Sequence, residues 1–125
     1  MPARFHEDRG CGVLVLAGEY TVREAGDALV GGLLAITPGP ARGLVVDLSD
    51  SAMVSARSSN DIAIAAAGMG QMGARFSHRM AIVAPGSLAF GLMRMGSVHA
   101  EEAGLKVNVC REFDKALEWV LSGED

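Results

Sequence analysis

The stretch Gly43–Ser49, which reads Gly-Leu-Val-Val-Asp-Leu-Ser, decides the fold of this chain. Its apolar run Leu44–Leu48 is short, contains two valines and is interrupted by Asp47. A short apolar run between turn-forming residues is typical of a strand that is buried on both faces of a sheet. We therefore place the central strand of an α/β domain here.

A short polar loop follows this strand and leads to a second helix. Ser58 is followed three residues later by Asp61, a variant of the capping-box pattern that begins helices. The spacing of apolar residues predicts a helix from about Ser59 to Phe76. The chain thus passes from a central strand to a helix N-terminus, where α/β proteins commonly bind ligands and partners.

The N-terminal part predicts a β-hairpin. Ala3–Asp8 is expected to form an edge strand, and Val13–Ala17 is a continuous apolar strand. The connection Arg9–Gly12 is rich in glycine and short enough for an antiparallel pair. We expect Cys11 to lie in this turn.

The next segment predicts the first helix. Thr21 and Glu24 form a full capping box, and apolar residues then recur at helical spacing as far as Ile36. The following Pro38-Gly39-Pro40 ends the helix. We expect the pair Gly31-Gly32 to weaken it and to permit a close approach to the sheet.

The C-terminal half continues the alternation of strands and helices. Pro85-Gly86 ends a buried strand, and the glycine at 104 is a plausible C-terminal end for a helix. The predicted elements are a strand over Arg79–Ala84, a helix capped by Ser87 and ending near Gly104, a strand over Leu105–Cys110, and a helix over Glu112–Leu121.

The order β-β-α-β-α-β-α-β-α predicts an α/β fold with a mixed, mostly parallel five-stranded sheet and about four helices. Strands separated by helices pair in parallel, and the first strand adds an antiparallel edge. No linker, repeat or low-complexity tract interrupts the sequence, so we treat residues 1–125 as a single domain.

Composition and charge indicate which partners and which cellular location to expect. The net charge is −4, the pI is about 5.3, and no basic stripe occurs, so we expect no nucleic-acid partner. No apolar run is long enough to span a membrane, and the N-terminus lacks an apolar signal core, which predicts a cytoplasmic protein. Cys11 and Cys110 form no Cys-x-x-Cys motif and are expected to be free thiols.

Two longer segments carry a family resemblance: Leu44–Asp50, and Ala84–Met95 followed by Gly104–Val109. Together with the element order they resemble the bacterial STAS domains, in particular the SpoIIAA-like branch often labelled STAS/SEC14. The resemblance covers nearly the whole chain. It implies a SpoIIAA-like fold and a non-enzymatic module that regulates through protein–protein contacts.

The resemblance also implies a site at the head of the second helix. In STAS antagonists a serine there is phosphorylated by a partner kinase, within the pattern Asp-Ser-Ser-Gly. Here the serine pair is kept, but arginine replaces the aspartate and asparagine the glycine. Helix capping by Ser58 is the structural alternative. The implied partner- or anion-binding residues are Ser55, Arg57, Ser58, Ser59 and Asn60.

The segment Gly68–Gly73 matches G-x-G-x-x-G, the pattern of dinucleotide-binding loops. That mechanism requires the glycines between a strand and a following helix, whereas here they end a helix and precede a strand. We therefore reject a nucleotide-binding loop at this segment. Close packing through small residues, or fraying of the helix, explains the glycines better. Met69 and Met72 are core candidates or, if exposed, interface residues.

Catalytic and metal motifs are weak. His99 and Glu102 share a helical face but make only half of a metal site, and a solvated face explains them better. Arg75, His78 and Arg79 are interpreted as surface charge that could hold an anion. No nucleophile is paired with a base. We assign no catalytic residue, no metal site and no cofactor.

Three functions remain open. The first is the non-enzymatic STAS-type binding module, and the second is a carrier or sensor of a small apolar ligand of SEC14 type. The third is an enzyme whose site is dispersed along the sequence. We also expect a weak homodimer, through the exposed first strand or the methionine-bearing surface of the second helix.

Overall fold

A computed structural model describes residues 3–36, 40–50 and 67–122, apart from the side chain of Val22. The second helix, α2, is described over residues 67–71 and is followed by a 3₁₀ turn at Gly73–Phe76. The other elements are β1 (Ala3–Asp8), β2 (Cys11–Leu16), α1 (Val22–Ala35), β3 (Leu44–Asp47), β4 (Arg79–Val83), α3 (Ser87–Glu102), β5 (Lys106–Cys110) and α4 (Phe113–Ser122).

The five strands form one mixed sheet in the order β1-β2-β3-β4-β5. β1 pairs antiparallel with β2, and the other three pairs are parallel, with Val13 opposite Val45 and Val45 opposite Ala81. This confirms the predicted α/β sheet with its antiparallel edge. The strands follow one another across this sheet in the order in which they occur in the chain. The sheet therefore lacks the point of reversed strand order at which open α/β sheets usually form a ligand-binding crevice.

The helices cover both faces of the sheet. Side chains of α1 and α3 pack with the 3₁₀ turn in the main core, whereas α4 covers the opposite face and forms a second core. Crossovers between neighbouring parallel strands share one hand, which places their helices on the same face. Among the described helices, α4 follows the last strand and closes the other face.

β3 lies at the centre of this arrangement. Leu44 and Val46 belong to the main core and Val45 to the second core, so successive side chains enter opposite faces. All three are buried. The predicted central strand is therefore confirmed, although its regular part ends at Asp47.

The N-terminal hairpin is tighter than expected. Cys11 is the first residue of β2 and fully buried, so its predicted place in the turn is wrong. The two turn residues Arg9 and Gly10 have φ of 51° and 85°. Positive φ at both positions is typical of the two-residue turns whose twist matches that of paired strands. A two-residue turn suffices, and Cys11 joins the ladder opposite Asp8.

The ends of the helices follow local chemistry. The capping box of α1 is confirmed: Thr21 Oγ1 accepts from the Glu24 amide at 3.0 Å, and Glu24 Oε1 accepts from the Thr21 amide at 2.9 Å. The C-terminal end of α3 at Gly104, with φ of 97°, is also as predicted. The predicted cap of α3 is wrong, because Gly86 is the N-cap and Ser87 already lies within the helix.

Glycine allows α1 to approach the sheet closely at one position. A Cβ atom at Gly32 would overlap the ring of Phe5, whereas one at Gly31 would meet nothing within 4 Å. The predicted close approach is thus confirmed for Gly32 and does not apply to Gly31.

Candidate functional site

The predicted site at the head of the second helix belongs to residues 51–66, between the described ranges 40–50 and 67–122. Ser55, Arg57, Ser58, Ser59 and Asn60 lie outside the described residues, as does Asp61. Their role stays a prediction. The structure does describe the sheet edge from which this segment departs.

Asp47 organises the turn at the carboxyl end of β3. Its Oδ1 accepts hydrogen bonds from the Ser49 amide at 2.9 Å and from the Ser49 hydroxyl at 2.6 Å. The carbonyl of Asp50 accepts from the Gly18 amide, beyond the end of β2, at 2.7 Å. A carboxylate that bonds the backbone two residues on stabilises a turn. Asp47 therefore stabilises the turn through which the chain leaves the sheet.

Basic side chains lie at the same edge, next to the N-terminus of α3. Arg111 Nη1 donates to the Pro85 carbonyl at 3.3 Å, and its guanidinium carbon lies 4.3 Å from the centroid of the Phe90 ring. Arg94 approaches the same ring at 5.9 Å. No acidic residue occupies the first turn of α3. Two arginines thus lie near the N-terminal part of α3, next to the exposed Glu112 that follows Arg111 in the chain.

Arg79 is not surface charge, and that prediction is wrong. It is only 7% exposed, its Nε donates to the Val120 carbonyl at 3.1 Å, and its Nη2 donates to the Trp119 carbonyl at 2.7 Å. Cations near the last carbonyls of a helix satisfy them and complement the helix dipole. The last turn of α4 contains no basic residue of its own, and that lack is the one sequence signal for this contact.

The other members of that basic cluster remain at the surface. Arg75 and His78 are exposed. His78 follows Ser77 in a turn where both residues have positive φ, and the Ser77 hydroxyl donates to the Ala41 carbonyl at 2.7 Å. The structure therefore separates Arg79 from its two sequence neighbours.

The G-x-G-x-x-G segment packs through its small residues. A Cβ at Gly70 would lie 2.5 Å from the Cβ of Ala103, and one at Gly73 would lie 2.6 Å from the His78 ring. The helix tightens to a 3₁₀ turn at the last glycine. Met69 and Met72 are half-buried and pack against the main core. Their role as interface residues stays a prediction.

The predicted solvated helix face at His99 is confirmed. His99 and Glu102 are both exposed on α3. Within residues 3–36, 40–50 and 67–122, no group of three or more His, Cys, Asp or Glu residues could hold a metal ion. Cys11 and Cys110 are free thiols, and burial raises the pKa of each.

A shallow pocket opens beside the C-terminal end of α1. It has a volume of about 430 Å³, and all of its lining residues but one are apolar. Pockets for small molecules typically range from about 300 to 1,000 Å³, so this one suits only a small ligand. It is lined by Leu33, Ile36, Pro40, Ala74 and Arg75.

Comparison with protein-family models and with curated proteins gives no match for this chain. Of the helices in the described part of the chain, none is both long enough and apolar enough to cross a membrane.

Proposed function

We propose that this chain is a non-enzymatic, cytoplasmic binding module of the SpoIIAA-like STAS type that acts through protein–protein contacts. The observation that carries the proposal is the turn after β3. There the Asp47 carboxylate is engaged by both the amide and the hydroxyl of Ser49, so it serves to position a loop. The sequential sheet, with most of its helices on one face, is compatible with this family.

The proposed contact surface combines that loop with the head of the second helix. An unmodified serine at a helix N-terminus can cap the helix and still present its surroundings to a partner. Phosphorylation at Ser58 would add negative charge and new acceptor oxygens there, and so change which partner side chains can pair. The resemblance to STAS antagonists supports this switch, and the arginine at position 57 distinguishes this chain from their pattern.

The test compares three forms of the full chain in affinity capture from the native host. Ser58→Asp adds a negative charge at the proposed surface, and Gln71→Asp adds the same charge near the other end of the helix. We expect a specific partner to bind the wild type and Gln71→Asp but not Ser58→Asp. Of the two variants, Gln71→Asp should be the less stable, because it adds a negative charge near the C-terminal end of the helix. Equal capture by all three forms would refute the serine surface. Substrate turnover by the purified chain without any captured partner would refute the non-enzymatic function.

A second candidate function is the carriage of a small apolar ligand, which the pocket beside α1 favours. Leu33 and Ile36 line this open pocket but are themselves almost fully buried, and the exposed Arg75 also lines it. This combination fits an amphipathic ligand with an acidic head group, such as a short fatty acid.

Native mass spectrometry with a panel of short fatty acids tests the carrier function. We expect one bound molecule per chain, and weaker binding by Arg75→Gln than by the control Arg23→Gln, whose side chain is exposed on α1. The carrier function is excluded if no fatty acid in the panel binds the wild-type chain.

A further inference from the structure

The outward side of α3 carries large exposed apolar residues among the polar Arg94, His99 and Glu102, although it lacks a partner within the described chain. The sheet-facing side of this helix is satisfied, because Gly96 and Ala100 are buried and Leu92 and Met93 pack against the main core. On the opposite side, Leu88 is 66% exposed, Met95 71% and Val98 51%. A helix that lies on a sheet normally carries polar residues on this side.

The outward face, defined here as Leu88, Gly91, Met95 and Val98, has the spacing of a helix-pairing seam. Its residues are separated by three, four and three positions, which is the a/d pattern of paired helices. Gly91 is exposed, and a Cβ there would meet nothing within 4 Å. The glycine thus leaves a hole in the seam into which a side chain from a facing helix can pack.

We propose that a second copy of this chain covers the outward face, with the two α3 helices packed antiparallel about a two-fold axis. A two-fold interface requires a self-complementary surface, and this seam supplies both a large flexible side chain, Met95, and a hole, Gly91. The inference does not depend on the proposed function.

The charges along α3 select the antiparallel orientation. Glu101 and Glu102 are exposed at its C-terminal end, whereas its first turn, at the positive end of the helix dipole, has no acidic residue. An antiparallel pair brings the acidic end of each helix to the positive end of the other. A parallel pair would bring the acidic ends together, which is unfavourable.

The other surfaces suit self-association less well. The edge strand β1 exposes Arg4, His6 and Glu7, and charged side chains on an edge strand oppose pairing with another strand. Met69 and Met72 are half-buried against the main core.

The size of the seam predicts a weak dimer. The 16 residues of α3 span about 24 Å. A single pair of helices of this length buries less than the roughly 1,200 Å² at which stable interfaces begin. The association is therefore reversible and depends on concentration.

Sedimentation equilibrium of the full chain from about 1 to 200 μM tests the pairing, with Met95→Lys as the test variant. Leu34→Lys is the matched control, because Leu34 is 54% exposed on α1 and receives the same charge. We expect a monomer–dimer equilibrium for the wild type and Leu34→Lys, and at least tenfold weaker association for Met95→Lys, with unchanged circular dichroism. A wild type that stays monomeric throughout overturns the proposal, as does equal weakening in both variants.

Cross-linking tests the orientation in a background where Cys11 and Cys110 are replaced by alanine. Chains carrying Ser87→Cys are mixed with chains carrying Glu102→Cys and treated with a short thiol cross-linker. Antiparallel packing predicts mixed cross-linked dimers. Cross-linking of Ser87→Cys chains to one another, without mixed dimers, would overturn the antiparallel arrangement.

Discussion

The guanidinium carbon of Arg79 lies 3.9 Å from the centroid of the Trp119 ring, and its Nη2 donates a 2.7 Å hydrogen bond to the Trp119 carbonyl. One side chain at the start of β4 thus stacks on a residue of α4 and also satisfies the end of that helix. Arg42 adds a 3.3 Å contact to the neighbouring Leu121 carbonyl. Two arginines from separate parts of the chain therefore hold the C-terminal turn of α4.

Replacing Arg79 by Met is expected to destabilise the fold by about 2–4 kcal/mol, since buried carbonyls lose a charged donor and the ring loses its stacked cation. Arg79→Lys should lie between this variant and the wild type, because lysine keeps the charge but not the planar fork. Urea unfolding measures both. Arg23→Met, at an exposed position, serves as control, and an equally small loss in all three variants would contradict the role of Arg79.

Gly31→Ala and Gly32→Ala should change stability in opposite directions. Alanine in place of glycine is expected to stabilise the helix by about 1 kcal/mol at either position, because alanine has the higher helix propensity. At Gly32 the new methyl group overlaps the Phe5 ring, and overpacking of this kind costs about 1–3 kcal/mol. Thermal unfolding should show a higher Tm for Gly31→Ala and a lower Tm for Gly32→Ala. Equal stabilisation of both would show that Phe5 moves away without cost.

Thr21→Ala removes half of the capping box of α1. The Glu24 amide loses its acceptor, so the expected loss is about 1 kcal/mol of unfolding free energy. Thr21→Ser keeps the hydroxyl and should retain nearly all of the stability. If urea unfolding shows the serine variant to be as unstable as the alanine variant, the methyl group of Thr21 matters rather than its hydroxyl.

The two thiols predict a loss of stability at alkaline pH. Burial raises the pKa of Cys11 and of Cys110 in the folded chain. A raised folded pKa means that the unfolded chain releases the thiol protons first. The two thiols therefore make their full contribution to the free energy of unfolding below the ordinary thiol pKa of about 8.5. This contribution is lost as the pH rises through the pKa of the thiols in the folded chain.

Urea unfolding from pH 7 to pH 10 measures this loss, with Cys110→Ala for comparison. We expect the unfolding free energy of the wild type to fall more steeply above pH 8.5 than that of the variant. Parallel curves would show that the partly buried Cys110 does not contribute to the alkaline loss.

The sequence by itself determined the elements that depend on near neighbours. The apolar run Leu44–Val46, the capping box at Thr21 and the glycine at 104 each act within a few residues. Hydrophobic patterns and local hydrogen bonds therefore reveal them. The same local signals predicted the mixed sheet. The site at Ser58 rests on resemblance and remains a prediction.

Only the tertiary structure decided which residues meet across long separations in sequence. Arg79 is 40 residues from Trp119, and no local sequence pattern pairs the two residues. Gly31 and Gly32 are adjacent glycines in the same predicted helix, and no sequence pattern distinguishes them. Of the two, only Gly32 lies against the Phe5 ring. The outward face of α3 emerges in the same way, because helical spacing fits Leu88 and Met95 to a core as readily as to a surface. Burial depends on what packs against a side chain, and that is set by the assembled fold rather than by the local sequence.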